Sequence, residues 1–143
     1  MSKITVAYWS GTGNTEAMAN EVAEGAKAAG AEVDVLTASE FGADKMDAYD
    51  AVAFGCPAMG AEELEDSEFE PMISDCEGKL GGKKIALFGS YGWGDGEWMR
   101  NWVEQMEGAG ATVVGGEDAI CQEAPDEDAQ DELKAMGKQL AAI

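Results

Sequence analysis

The six residues Ser10-Gly11-Thr12-Gly13-Asn14-Thr15 place three hydroxyl side chains, an asparagine and two glycines between an apolar run and a segment of helical period. Such a loop has the chemistry of a phosphate cradle. Backbone N–H groups at a helix N-terminus have no intrahelical acceptor, and the helix dipole adds to their attraction for an anion. Gly11 and Gly13 let the backbone approach closely, while Ser10, Thr12 and Thr15 can donate O–H bonds. Two better-known phosphate loops do not fit. No lysine stands between Lys3 and Lys27, and Glu16 occupies the place of the third glycine of a dinucleotide fingerprint. A loop without a cation suits a terminal monophosphate held by neutral donors. The competing reading is an ordinary strand-to-helix turn rich in capping residues.

Two later segments add flat, apolar chemistry: Cys56-Pro57-Ala58-Met59-Gly60-Ala61-Glu62 and Ser90-Tyr91-Gly92-Trp93-Gly94-Asp95-Gly96. Met59 and Trp93 are placed to sandwich a planar ring, since an aromatic face gives stacking area and a thioether packs well against a π system. Taken singly, either side chain would as readily fold back on the core.

The elements that must position these loops alternate along the chain. Ile4–Trp9 is a nearly continuous apolar run, as expected of a strand covered on both faces. From Thr15 to about Ala29, Met18, Val22 and Ala26 form one helical stripe, and Gly30 is placed to end it. Strands follow at Val33–Leu36, Asp50–Gly55 and Lys84–Gly89, and a fifth opens at Thr112–Val114. Helices are expected at Phe69–Cys76, at Trp98–Met106, and from Glu127 to about Ala142 with Leu133, Met136 and Leu140 on one face. The pattern predicts an α/β fold, a doubly wound five-stranded parallel sheet in one domain spanning residues 1–143. Ligands of such sheets bind outside the carboxyl ends of the strands, where all three loops lie.

Composition narrows the function. The chain has 9 Lys and Arg against 29 Asp and Glu, a formal net charge of −20, with 45% hydrophobic residues. It can build a core, but its charge repels nucleic acid and anionic membranes. Histidine is absent, which removes the commonest general base and metal ligand, so any reaction needs a cofactor. Cys56, Cys76 and Cys121 are too far apart for a metal or redox motif and read as reduced thiols. No signal peptide or membrane-spanning run is apparent, and a cytoplasmic location is expected.

Ser10-Gly11-Thr12-Gly13-Asn14-Thr15 resembles the phosphate loop of flavodoxins, and Cys56-Pro57-Ala58-Met59-Gly60 and Gly89-Ser90-Tyr91-Gly92-Trp93-Gly94 resemble that family's flavin-flanking loops. The likeness covers essentially the whole chain. It is strongest to short-chain flavodoxins of anaerobic bacteria, because Thr112 to Pro125 lacks the long inserted loop of the long-chain group. The resemblance implies a flavodoxin-like sheet of order 2-1-3-4-5 with FMN at the switch point. It implies Met59 on the inner face of the isoalloxazine and Trp93 on the outer. Met59-Gly60-Ala61-Glu62 would form the turn at the flavin N5 edge, with Glu62 accepting from N3–H. Ser90, Tyr91 and Gly92 would line the pyrimidine, and Ala58 and Gln122 the ribityl chain. Cys56, ahead of Pro57, reads as packing rather than redox chemistry.

The function expected is a low-potential one-electron carrier that binds FMN noncovalently and cycles between semiquinone and hydroquinone. Residues 46–78 and 101–133 each contain ten acidic residues and no Lys or Arg. These tracts suggest transient electrostatic docking of basic redox partner proteins by a monomer. An FMN-dependent quinone or nitro reductase is the enzyme alternative. A cofactor-free receiver module is a third, lacking the clustered aspartates that it requires.

Overall fold

In the computed structural model, which describes residues 3–11, 13–59, 64–92, 96–117 and 119–142, the apolar runs become strands of one parallel sheet. The strands are β1 (Lys3–Tyr8), β2 (Glu32–Thr37), β3 (Ala51–Gly55), β4 (Lys84–Tyr91), β5 (Thr112–Val113) and β6 (Ile120–Gln122). Between them run α1 (Asn14–Ala28), α2 (Ala43–Met46), α3 (Phe69–Cys76) and α4 (Glu97–Gly108), and α5 (Glu127–Ala141) closes the fold. The order is β2-β1-β3-β4-β5, with β6 also on β4, the order that the resemblance implies.

Successive strand residues face opposite sides, and both sides are covered. Ile4, Val6, Ala51, Ala53, Ala86 and Phe88 meet Met18 and Val22 of α1 and Leu133, Met136 and Leu140 of α5. On the other side Ala7, Val52, Phe54, Ile85 and Leu87 meet Phe69 and Ile73 of α3 and Trp98, Trp102 and Met106 of α4. This explains why the strands read as unbroken apolar runs. The first layer is held close by glycine: a Cβ on Gly25 would stand 2.0 Å from the Lys134 carbonyl oxygen, and one on Gly137 2.1 Å from that of Val22. Any side chain at either position would force α1 and α5 apart.

Three details depart from the sequence expectation. The fifth strand comes in two pieces: β5 pairs with Lys84 and Ile85, and β6 pairs with Gly89 to Tyr91. Gly115 and Gly116, with φ of 85° and 57°, turn the chain out between them. β4 accordingly runs on to Tyr91, past Gly89, because β6 gives it a partner there. Between β2 and β3 the chain makes a 3-10 turn and the four-residue α2, both too short to leave a periodic pattern. Cys56, Cys76 and Cys121 are free thiols, and no helix among the described residues is long and apolar enough to cross a membrane.

Candidate functional site

Strand pairing continues past the ends of β1 and β3, the latter along the last residues of β4. Trp9 N–H donates to the Gly55 carbonyl at 3.0 Å, Cys56 N–H to that of Phe88 at 3.1 Å, and Ala58 N–H to that of Ser90 at 3.0 Å. The three outgoing loops are therefore held side by side by backbone bonds alone.

In the first loop, Gly13 has φ 96°, a left-handed conformation suited to glycine. Its N–H donates to Ser10 Oγ at 3.0 Å. No side chain caps α1, so the amides of its first turn have no partner within the helix. Thr15, in that turn, is 1% exposed, and its Oγ1 has no hydrogen-bond partner. An unpaired buried hydroxyl is unfavourable by about 1–3 kcal/mol. A phosphate oxygen bound there would accept that hydrogen bond, so the loop fits the mononucleotide phosphate that its composition suggests. Thr12 lies outside the described residues.

A cavity of about 250 Å³ opens beside this loop, lined by Trp9, Gly11, Asn14, Pro57, Ala58, Met59, Ser90, Tyr91, Gly92 and Glu123. All three segments singled out in the sequence contribute to it. Ser10, Gly11 and Gly13 also line a polar cavity of about 400 Å³ with Tyr8, Glu16 and Glu68. The Trp9 indole divides the two, and a Cβ on Gly11 would stand 3.0 Å from its ring. A larger cavity, of about 480 Å³, lies against α5 near Gly115 and touches none of these loops.

Of the other expected residues, Ser90 lines the cavity, while Gln122 and Cys56 do not. Gln122 is exposed, and its Nε2 donates to the Gly92 carbonyl at 3.3 Å. Ser90 is buried and donates to the Glu123 carbonyl at 2.6 Å. Cys56 is buried, and burial pushes its thiol pKa up to about 12; it is a neutral thiol at physiological pH, in keeping with packing rather than redox work. Gly60, Ala61, Glu62 and Trp93 lie outside the described residues, as does the N5-edge turn expected there.

Three contributors were not singled out. Trp9 read as the last residue of a strand, yet it walls both cavities. Glu123 is the only non-glycine with positive φ among the described residues, at 60°, and nothing in its type announces that. Glu65 read as part of a solvated acidic tract but is 5% exposed. Its carboxylate accepts from the N–H groups of Ser67, Glu68 and Phe69 at 3.0, 2.8 and 2.8 Å, and from the Ser67 hydroxyl. An acid a few residues ahead of a helix start was the available signal.

A sheet of this winding, with an anion cradle and an apolar cleft together at its switch point, defines a mononucleotide-binding class of protein. A model of the flavodoxin family matches residues 6–136. The flavodoxin of Megasphaera elsdenii is 51% identical over 138 residues, spanning 96% of this chain and 98% of that protein. That of Clostridium beijerinckii is 49% identical over 138 residues, spanning 96% and 99%. The solution structure of two-electron reduced Megasphaera elsdenii flavodoxin matches with a TM-score of 0.90 at 50% identity, over 98% of this chain and 99% of that one. The chain belongs to the flavodoxin family, FMN-binding electron carriers that serve redox partners rather than enzymes in their own right.

Burial pushes the Glu65 carboxyl pKa up, but its four hydrogen bonds outweigh that and hold it at about 2, against an ordinary value of 4.5. A lowered folded-state pKa gives stability that is complete above the unfolded value and lost as pH falls through the folded one. Between pH 5 and pH 2 the protein should lose on the order of 3 kcal/mol through this group. Urea unfolding across that range should show a shallower loss in Glu65→Gln, and parallel curves for the two proteins would contradict the assignment.

Proposed function

We propose that this chain is a low-potential one-electron carrier, working as a monomer in the cytoplasm and docking basic redox partners through its acidic surface. FMN, when bound, supplies the redox centre and exchanges electrons one at a time. Ser10, Gly11, Thr12, Gly13, Asn14 and Thr15 would hold its phosphate. Pro57, Ala58 and Met59 with Ser90, Tyr91 and Gly92 would flank the ring, and Cys56 and Gln122 would brace the two walls. Gly60, Ala61, Glu62 and Trp93 belong to the proposed site on sequence grounds. The observation that carries this reading is the partnerless Thr15 Oγ1, buried at the head of an uncapped helix.

The charge distribution supports the remainder. Glu68 lines the polar cavity and Glu123 the apolar one. Asp66, Glu70, Asp126, Glu127 and Asp128 are exposed nearby in sequence, whereas Glu65 is turned inward. No Lys or Arg lines either cavity among the described residues, so an electron added there gains no cationic compensation, which favours a strong donor. A net charge of −20 also opposes self-association and steers cationic partners.

Thr15→Val removes the hydroxyl at nearly constant shape. FMN affinity should fall about 10–100-fold, the range of one hydrogen bond to a charged group, while riboflavin, which lacks the phosphate, should bind within about twofold of the parent. The apoprotein should be no less stable, because the hydroxyl has no partner to lose. Equal losses for FMN and riboflavin would place the phosphate elsewhere.

Anaerobic reductive titration of the FMN-loaded protein should proceed in two separated one-electron steps, with no oxidation of NAD(P)H by the protein alone. A single two-electron step would sink the carrier reading.

Electron transfer to a basic partner should slow by at least about tenfold from low to roughly 0.5 M salt, as charge steering is screened. A rate indifferent to salt would remove the electrostatic part of the proposal.

A further inference from the structure

Cys56 and Glu65 stand on either side of the segment that carries Pro57, Ala58 and Met59 into the flavin cavity, and they are bonded to each other. Glu65 N–H donates to Cys56 Sγ at 3.4 Å. Each partner is fixed from behind. Cys56 N–H is held by the Phe88 carbonyl of β4, its own carbonyl accepts Trp98 Nε1 from α4 at 3.3 Å, and its Sγ–H donates to the Pro57 carbonyl at 3.4 Å. Glu65 is locked to the head of α3 by the four bonds to its carboxylate, and its carbonyl accepts Glu70 N–H at 2.9 Å. A carboxylate so far from solvent is tolerated only when its hydrogen bonds are fully made.

We propose that the Cys56–Glu65 contact is a clamp that sets the flavin-facing position of Pro57, Ala58 and Met59, with Glu65 acting as a positioning residue for FMN. The path is short and continuous. α3 fixes Glu65, Glu65 fixes the Cys56 sulfur, and Cys56 leads directly into Ala58, whose N–H is pinned to the Ser90 carbonyl on the opposite wall. Loss of the clamp leaves this wall held only by the Cys56 and Ala58 ladder bonds to Phe88 and Ser90, and it does so without touching the phosphate loop. The proposal rests on reading the cavity as the flavin site.

Charge makes the prediction discriminating. Neutralising Glu65 removes a negative charge, which by Coulomb attraction alone would tighten the binding of anionic FMN. The clamp predicts the opposite sign. Cys56→Ala removes the sulfur with no change of charge and should behave like Glu65→Gln. Cys56→Ser, which keeps an acceptor, should recover most of the loss. Cys76→Ala serves as the control, because Cys76 is buried in α3 and contacts Met72 but takes no part in the clamp.

The test compares FMN affinity with apoprotein stability in urea, together with amide exchange at Ala58, Met59 and Glu65 in the apoprotein. Glu65→Gln and Cys56→Ala should each weaken FMN about tenfold, and the double variant should be little worse than either, since Cys56→Ala removes the acceptor of the contact and Glu65→Gln loosens the anchor of its backbone donor. Exchange at Met59 and at the Glu65 amide, the donor of the clamp bond, should quicken in the clamp variants, while the Ala58 amide keeps its Ser90 acceptor. Cys76→Ala should stay within about twofold in FMN affinity even where its urea midpoint falls as far. The proposal is overturned if affinity simply tracks the urea midpoint in every variant, if the two losses multiply, or if Glu65→Gln tightens FMN. Should Glu65→Gln fail to fold, the Cys56 variants decide by the same comparison. A parent protein that does not bind FMN would refute the site, whereas apoprotein exchange at Met59 and Glu65 would still judge the clamp.

Discussion

The register of β1, β3 and β4 is the constraint on which everything else depends. Tyr8 lies opposite Gly55, and Gly55 opposite Phe88, so β1 and β3 end level while β4 runs on beside them to Tyr91. Ladder bonds then run on into Trp9, Cys56 and Ala58. A hydroxyl-rich loop and two apolar loops, far apart in sequence, are thereby fixed within one ligand's width. The fit is tight enough that a Cβ on Gly55 would stand 2.2 Å from the Phe88 ring. Slipping any of these strands by one residue would turn its core side chains to the other face and also separate the walls of the site.

The net charge of −20 has to be reconciled with a site for an anion. Compactness opposes self-repulsion, and the ion pairs Lys79–Asp47 and Lys134–Glu21, at 3.1 and 3.4 Å, are partly exposed pairs of the kind that contribute little. The core carries the stability instead. At the site an anion would be met by fixed dipoles and hydroxyls, which bind without neutralising the surrounding field. An electron added to a group bound there would meet the acidic surface unscreened by any local cation among the described lining residues, and the same field would attract cationic molecules.

Burial on both faces explains how much was legible in the sequence. Ile4 to Tyr8, Ala51 to Gly55 and Lys84 to Gly89 must be apolar on successive residues, and that run is visible without a structure. The fifth strand was read at Thr112–Val113, but its second piece was not, because Ile120–Gln122 is too short to announce itself and its pairing is dictated by β4. The loop at Ser10–Thr15 was legible as a strand-to-helix loop rich in hydroxyls because its composition is local. Glu123 was not, because its left-handed backbone follows from joining β6 to the turn before α5 rather than from its own type. Glu65 misled for a different reason: a run of acids reads as solvated, and only the tertiary fold shows which member is turned inward onto α3.

Glu65 also clarifies why the head of α1 can serve a ligand. Helices begin with amides that need acceptors, and this chain meets the need in two ways. α5 is capped by Asp126, whose carboxylate accepts Ala129 N–H at 2.8 Å, and α3 is closed by Glu65; both carry their own anion. α1 starts from Gly13 with no side-chain cap, although Glu16 stands in its first turn. That acid is kept occupied by the Tyr8 hydroxyl, which donates to Glu16 Oε2 at 2.9 Å, and burial together with this bond raises the tyrosine pKa, so the hydroxyl stays protonated and the bond persists. A carboxylate free to fold over the α1 amides would compete with phosphate for the same donors. α4 likewise starts from a glycine, Gly96, with no side-chain cap, so what marks the head of α1 as fitted to an external anion is the buried, partnerless Thr15 Oγ1 beside its amides, with Glu16 engaged on the tyrosine.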